Sequence, residues 1–199
     1  MHRPADTQYP LHELIRERWS PVAFTSRRIE PAMLGSLFEA ARWAPSSFNE
    51  QPWCFLLATQ DQPDEFAKLL GCLVPANQAW AKNAYALVLS VAKLAFARNG
   101  SPNRHAYHDV GLATQNLMLQ AQSHGIACHA MAGFEIDQAR EVFQIPATHD
   151  PVAAIAIGYA VADYNGVDAA LRKRDELPRS RKPLSECVHR GAFGQSAGM

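Results

Sequence analysis

The sequence lacks the features that define several common protein classes. It has no apolar run of about 18 residues, the length that a membrane-spanning helix needs, and its first residues, MHRPADTQYP, contain no apolar stretch typical of a secretory signal. Lysine and arginine total 19, as do aspartate and glutamate, so the formal net charge is zero. Long-range attraction to nucleic acid or to a membrane is therefore not expected.

Cysteine is scarce and scattered along the chain. Cys54, Cys72, Cys128 and Cys187 form no CxxC pair. Without a secretory signal they are expected to be reduced thiols rather than two disulfides, which predicts a cytoplasmic protein. Cys54 and Cys128 lie in or beside apolar runs, so we interpret them as small core side chains rather than nucleophiles.

Common motifs for phosphate binding and nucleophilic catalysis are also missing. The sequence has no GxGxxG, no GxxxxGK[ST] and no GxSxG. His105 and His108, followed by Asp109, are candidate metal ligands on one helical face. Because no third and fourth ligands accompany them, a solvated helix start is the favoured interpretation, and no metal site is predicted.

Apolar periodicity predicts both helices and short buried strands. The strands are expected at 53–59, 85–92, 126–132 and 153–159, and the helices at 11–18, about 30–43, 64–70, 77–82, 104–124 and 137–143. Their irregular order, without a strict βαβ alternation, predicts an α+β fold with helices on both faces of one sheet. We expect a single domain, 1–199, with a core of about 11–165 and a polar, extended C-terminal arm of about 166–199.

Arginines cluster in two distant parts of the chain. Arg18 and Ser20 offer a charged and a neutral donor within one turn, and Arg179 and Arg181 alternate along an extended segment, so both can point to one side. Residues 172–190 hold seven basic and three acidic side chains. Guanidinium groups match phosphate oxygens, which favours phosphate capture. A solvated tail or a nucleic-acid patch is the alternative, although no interleaved aromatics or recognition helix is clear.

Three segments resemble the nitroreductase family. They are 18–24 (RWSPVAF), 39–53 (EAARWAPSSFNEQPW) and 177–184 (LPRSRKPL), and the resemblance covers roughly residues 11–190. It implies a central mixed or antiparallel sheet flanked by helices, and an FMN-binding obligate homodimer with two active sites at the subunit interface. It also implies that the C-terminal arm wraps the dimer partner.

The same resemblance implies a set of cofactor contacts. They are Arg18, Trp19, Ser20, Val22, Pro45, Ser46, Ser47, Asn49, Asn77, Met131, Ala132, Gly133, Arg179 and Arg181. The basic residues of the set would hold the FMN phosphate, and the contacts within 45–49 would come from the partner subunit. Asn77 would contact the pyrimidine side of the flavin ring, and 131–133 would run beside its reactive edge, where a backbone N–H bonds N5.

Each part of this site has a simpler interpretation as well. The polar loop at 46–51 is also typical of an ordinary turn. Asn77 is also placed to be the N-cap of a helix at 77–82. Gly133 is also a strand-end glycine before a helix, although a glycine lets the main chain approach a ring closely.

The activity that the resemblance implies is that of an FMN-dependent, NAD(P)H-linked oxidoreductase. Hydride would pass from NAD(P)H to FMN and then, in a ping-pong reaction, to a small oxidised acceptor such as a nitroaromatic or a quinone. Protons can come from water, so no catalytic side chain is predicted. The alternatives are dehalogenation, enone reduction or flavin destruction on the same fold, and a non-catalytic flavin-binding or regulatory protein.

The chain departs from the family where positive charge is usual. Val22 stands where the family usually has a basic residue near the N1–O2 edge of the flavin, and Trp19 and Trp80 stand at two further positions that are often basic. A fixed positive charge at that edge stabilises the reduced flavin. We therefore expect a lower reduction potential than in relatives that carry these residues.

Overall fold

The structure is a computed structural model that describes residues 3–199, so Met1 and His2 lie outside it. As predicted, the fold is α+β. The helices are α1 (Glu13–Glu17), α2 (Pro31–Arg42), α3 (Pro63–Gly71), α4 (Pro75–Ala81), α5 (Ala106–Ser123), α6 (Ile136–Val142) and α7 (Ala169–Asp175). The strands are β1 (Trp53–Thr59), β2 (Ala86–Lys93), β3 (Ala127–Met131) and β4 (His149–Gly158). Short 3-10 turns lie at Ser47–Asn49 and Leu184–Glu186.

The four strands form one antiparallel sheet in the order β1-β2-β4-β3. In the middle of the sheet Leu56 pairs with Leu89, Leu89 with Ala154, and Ala154 with Met131. The predicted sheet, mixed or antiparallel, is therefore antiparallel throughout the described residues. Strands β1 and β3 are its two edges.

The sheet separates two hydrophobic cores because the side chains of β2 alternate between its faces. Leu87 and Leu89 pack on one face with Trp80 of α4. Ala86 and Val88 pack on the other face, with Leu37 of α2 and Leu117 of α5 as two of their partners. Helices therefore cover both faces, as predicted.

Two elements differ from the sequence-based expectation. Strand β4 begins at His149, four residues earlier than predicted, because the register shifts between Ser90 and Val91 and accommodates Pro151 at a bulge. Helix α7 lies within the segment that we predicted to be extended. The division into a core and an arm that wraps a partner stays a prediction.

The C-terminal segment packs on the N-terminal residues of its own chain. The Arg179 guanidinium donates to the backbone carbonyls of Arg3, Arg16 (3.1 Å) and Arg18 (2.9 Å). Nearby, Phe24 forms a β-bridge with Ala160, just beyond the end of β4. Within residues 3–199, no helix has the length and apolarity required to cross a membrane.

Candidate functional site

An arginine-rich cavity of about 320 Å³ lies where the N-terminal and C-terminal segments meet. Five of the predicted contacts line it: Arg18, Trp19, Ser20, Arg179 and Arg181. These residues are some 160 positions apart in sequence and converge because the C-terminal segment folds back over the end of α1. We call this space the arginine cavity. Arg3, Arg174, Asp175 and Leu177 complete its lining.

The guanidinium groups of the arginine cavity repel one another. The pKa of Arg18 is lowered by burial first and then by the charges of Arg179 and Arg181. Burial also lowers the pKa of Arg179, with Arg181 and Arg3 adding to the effect and Glu17 opposing it. Among residues 3–199, no carboxylate forms an ion pair with Arg18 or Arg181. A bound anion would relieve this repulsion, so the residues present fit a phosphate group.

Asp175, the acidic residue in the cavity lining, is directed at the backbone. Its two carboxylate oxygens accept hydrogen bonds from the N–H groups of Val22 (2.8 Å) and Ala23 (3.2 Å), and the residue is 3 % exposed. These bonds attach the end of α7 to segment 21–24. Sequence reasoning missed Asp175, because nothing in the pattern LRKRDELP distinguishes it from a solvated charge.

An apolar wall with one imidazole adjoins the cavity. Val22 and Trp80 belong to the same core, and the Trp80 ring lies 4.6 Å from that of His129. The His129 Nδ1 lies 2.8 Å from the Pro21 carbonyl oxygen, so Nδ1–H donates and Nε2 is left as an acceptor. Burial lowers the pKa of His129, the Pro21 carbonyl opposes that effect, and Arg174 adds to it. The ring is therefore neutral near pH 7.

The structure places Val22 in the core rather than in the lining of the arginine cavity. Its side chain is 1 % exposed and its backbone N–H is bound by Asp175. A contact between Val22 and a cofactor stays a prediction.

A second group of predicted residues meets at the end of β3. The Asn77 side-chain amide donates to the Gly133 carbonyl at 3.0 Å. A Cβ at Gly133 would lie 2.6 Å from Asn77 Nδ2 and 3.0 Å from Val74 Cγ2, so a larger residue here would displace the Asn77 side chain. Met131 is buried and Ala132 exposed.

The interpretation of Asn77 as a helix N-cap is wrong. Helix α4 begins at Pro75, with Val74 at its N-cap, so Asn77 lies inside the first turn. Three residues further on, Trp80 lies on the same side of the helix. One helix face thus carries both the Gly133 contact and the Trp80 ring, which lies 5.7 Å from the guanidinium carbon of Arg174 in the cavity lining.

The loop at 46–51 is held by a buried acid. The Asp109 carboxylate, 2 % exposed, accepts the backbone N–H of Ser47 at 3.0 Å. Ser46 Oγ accepts the N–H of Gln51 at 3.0 Å. Phe48, Asn49 and Gln51 have φ values of 54°, 54° and 53°. Backbone in the left-handed region is unfavourable for these residues and persists only where neighbouring contacts impose it.

Within one chain the predicted contacts fall into two separate sets. Pro45, Ser46, Ser47 and Asn49 precede β1, whereas the arginine cavity and Gly133 lie along β3. These strands are opposite edges of the sheet, three strand spacings or roughly 14 Å apart. The first set is absent from the lining of the arginine cavity. A single chain therefore does not bring the two sets together.

The candidate metal ligands do not form a metal site. His108 Nδ1 lies 3.3 Å from Asp109 Oδ1, and Asp109 is otherwise engaged by the 46–51 loop. In the part of the chain that the structure describes, no group of three or more His, Cys, Asp or Glu side chains is placed to hold a metal ion.

Comparison with known proteins identifies the family. The model of the nitroreductase family matches residues 15–159, most of the chain. This chain belongs to the nitroreductase family.

Two known proteins are similar to this chain in sequence. An uncharacterized 15.4 kDa protein of the ask 5′ region of Mycolicibacterium smegmatis is 32% identical over 134 residues, which cover 67% of this chain and 88% of that one. Protein DrgA of Synechocystis is 29% identical over 177 residues, covering 76% of this chain and 81% of that protein.

Solved structures share the fold. A crystal structure described as an oxidoreductase containing FMN superposes with a TM-score of 0.88 at 31% identity, over 96% of each chain. A nitroreductase family protein from Streptococcus pneumoniae superposes with a TM-score of 0.71 at 20% identity, over 89% of this chain and 98% of that one.

Proposed function

We propose that this chain is an FMN-dependent oxidoreductase that passes hydride from NAD(P)H through FMN to a small oxidised acceptor. The observation that carries the proposal is the arginine cavity, where guanidinium groups from two distant segments converge and Asp175, the carboxylate in the lining, is directed at the backbone of Val22 and Ala23. Family membership and the similar oxidoreductase containing FMN support a flavin oxidoreductase. FMN fits the cavity because its phosphate dianion supplies the missing charge.

Three groups of the cavity are suited to the FMN phosphate. Arg18 and Arg181 offer guanidinium donors, and Ser20 adds a hydroxyl that already accepts from Arg18 Nη1 at 3.2 Å. Arg179 uses much of its donor capacity on backbone carbonyls. Its main effects are therefore to fix the cavity wall and to add positive potential.

The ring would lie along β3 toward Gly133. When bound, FMN supplies the redox chemistry, accepting and releasing a hydride equivalent at its ring. The chain supplies Ala132 and Gly133 as backbone donors and acceptors, and the buried core side chains Trp80 and Val22 form an apolar wall nearby. Neutral His129, adjoining the wall, is not a general acid at neutral pH. Water then provides the protons, and no catalytic side chain is assigned.

A homodimer would complete the site. The position of the 46–49 contacts across the sheet from the arginine cavity supports their being supplied by a second chain. The proposal is thus a dimer in which Ser46, Ser47 and Asn49 of one protomer approach the flavin of its partner. Location in the cytoplasm is part of the proposal, supported by four free cysteine thiols.

Anaerobic mixing of the FMN-loaded protein with NADH and, separately, NADPH tests the activity. We expect the visible flavin absorbance to bleach with at least one donor and to return on addition of a quinone or nitroaromatic. Bleaching without return would contradict the choice of acceptor. If neither donor bleaches a bound flavin, the second candidate, a non-catalytic flavin-binding protein, is favoured. Apolar Val22 and Trp80, at positions that are usually basic, motivate that candidate.

A further inference from the structure

The last turn of α7 places one arginine, Arg174, beside the buried ring of Trp80. The helix begins with a cap in which Asp168 Oδ1 accepts the N–H groups of Ala170 (2.8 Å) and Leu171 (3.3 Å). It ends with Asp175 bound to the backbone of Val22 and Ala23. Both ends of α7 are thus held, and Arg174, the residue before Asp175, is held with them.

The Arg174 guanidinium faces the ring of Trp80. Its central carbon lies 5.7 Å from the centroid of the Trp80 ring, which is itself fully buried. At this distance a cation and an indole attract one another. Arg174 also lines the arginine cavity. Its charge therefore lies close to both positions, Val22 and Trp80, at which a basic residue is missing from the sequence.

The charge of Arg174 reaches the β3 edge of the sheet. The charges that lower the pKa of Arg18 are those of Arg179 and Arg181, and Arg174 is not among them. It does act on His129, which lies on β3 four residues before Gly133. The charges of Arg174 and Arg18 both lower the pKa of His129. Arg174 therefore acts on the β3 edge while it also lines the cavity that holds Arg18 and Arg181.

We propose that Arg174 supplies the positive charge that stabilises the reduced flavin ring, in place of the basic residues absent at Val22 and Trp80. The inference rests on the proposed function. A hydride from NAD(P)H would add two electrons and one proton to the neutral oxidised flavin. The reduced ring would then carry one negative charge, and NAD(P)⁺ would be released. A fixed cation beside the ring lowers the free energy of that charged form.

This proposal revises the expectation drawn from Val22 alone. A chain that lacks the cation should have a lowered reduction potential, whereas a chain that supplies it from α7 should not. In this chain the cation would come from Arg174 on α7 and not from position 22. Asp175, the next residue, binds the backbone N–H of Val22.

Arg174→Gln, with Arg172→Gln as the matched control, tests the inference. Arg172 lies on the same helix and has the same charge, but it pairs with Glu176 at 2.9 Å and faces Tyr164. The measurement is the midpoint potential of bound FMN, together with the affinities of the oxidised protein for FMN and riboflavin. We expect R174Q to weaken binding of reduced relative to oxidised flavin about tenfold, a potential lower by about 30 mV for a two-electron couple. R172Q should change neither quantity.

Two further variants at position 174 separate the effect of charge from an effect on folding. Arg174→Lys should recover part of the potential because it restores the charge. Arg174→Met keeps an apolar stem against Trp80 and replaces R174Q if that variant unfolds at a lower urea concentration than wild type.

The outcomes separate the inference from the proposed function. If wild type binds no FMN, the proposed function fails and the inference fails with it. If wild type binds FMN and R174Q has the wild-type potential, the inference alone is overturned. A loss of FMN affinity in R174Q with unchanged riboflavin affinity and potential would make Arg174 a phosphate ligand and would also overturn it.

Discussion

Asp175 is predicted to be the most sensitive single residue for both stability and cofactor binding. It is 3 % exposed, and its oxygens accept two backbone N–H groups that belong to the 22–23 segment. Hydrogen bonds to a charged group contribute about 1.5–3 kcal/mol each. Removing the carboxylate also leaves two N–H groups of buried residues without a partner.

Asp175→Ala should therefore lower the free energy of unfolding by roughly 3–6 kcal/mol, a large fraction of the 5–15 kcal/mol typical of a domain. Asp175→Asn keeps one acceptor oxygen but turns an NH₂ group toward an N–H donor. The free energy of unfolding should therefore fall by about 2–3 kcal/mol. Both variants should also bind FMN more weakly, because Arg174 and Arg179 lie in the segment that Asp175 anchors.

Urea unfolding at fixed protein and FMN concentrations measures the effect, since both concentrations shift apparent stability. Glu176→Gln is the control. Glu176 is the next residue and is half-exposed, and loss of its pairing with Arg172 should cost less than about 1 kcal/mol. An Asp175→Asn variant within about 0.5 kcal/mol of wild type would refute the anchoring role.

Three further predictions concern buried polar groups. Asp109→Ala should destabilise the protein by roughly 1–3 kcal/mol and loosen the 46–51 loop, because Ser47 N–H loses its acceptor. The control is His108→Gln, at an exposed position. Equal urea midpoints for the two variants would contradict the prediction. The free energy of unfolding should fall as pH drops below about 6.5, since the unfolded chain takes up a proton that partly buried His129 disfavours in the folded state. A His129→Gln variant should reduce the slope of unfolding free energy against pH. An unchanged slope, judged against exposed His105→Gln, would count against the assignment. Burial raises the pKa of the Cys128 thiol to about 12, so native protein should be alkylated at exposed Cys187 before Cys128; mass spectrometry showing the reverse order would refute this.

The sequence predicts the elements best where local pattern and tertiary environment agree. Strand β1 is predicted at both ends because WCFLLAT is an apolar run bounded by polar loops. Strand β4 is predicted too short because His149, Asp150 and Pro151 are unusual in a central strand. The bulge that accommodates Pro151 arises from pairing with β2, and local sequence does not reveal it.

The sequence predicts the arginines of the candidate site but not the helix that completes the cavity. Arg18, Ser20, Arg179 and Arg181 carry recognisable motifs, and the structure brings them into one cavity. Helix α7 is absent from the prediction, although Asp168 caps its start locally; the contact of Asp175 with a backbone segment about 150 positions away is not visible in the sequence. Arg174 is one of the seven basic residues of 172–190, and the sequence does not distinguish it from the others. Its importance comes from its position over Trp80, which only the folded chain reveals.

The relative affinity of the oxidised protein for FMN and riboflavin, measured by titration calorimetry, tests the central claim most directly. The two ligands differ only in the phosphate that the arginine cavity is proposed to hold. Two charge-assisted contacts correspond to roughly 3–6 kcal/mol, so FMN should bind at least about a hundredfold more tightly than riboflavin. Arg181→Gln should narrow that ratio, whereas Arg190→Gln, outside the cavity lining, should not. Equal affinities for FMN and riboflavin would contradict the assignment of the arginine cavity as a phosphate site.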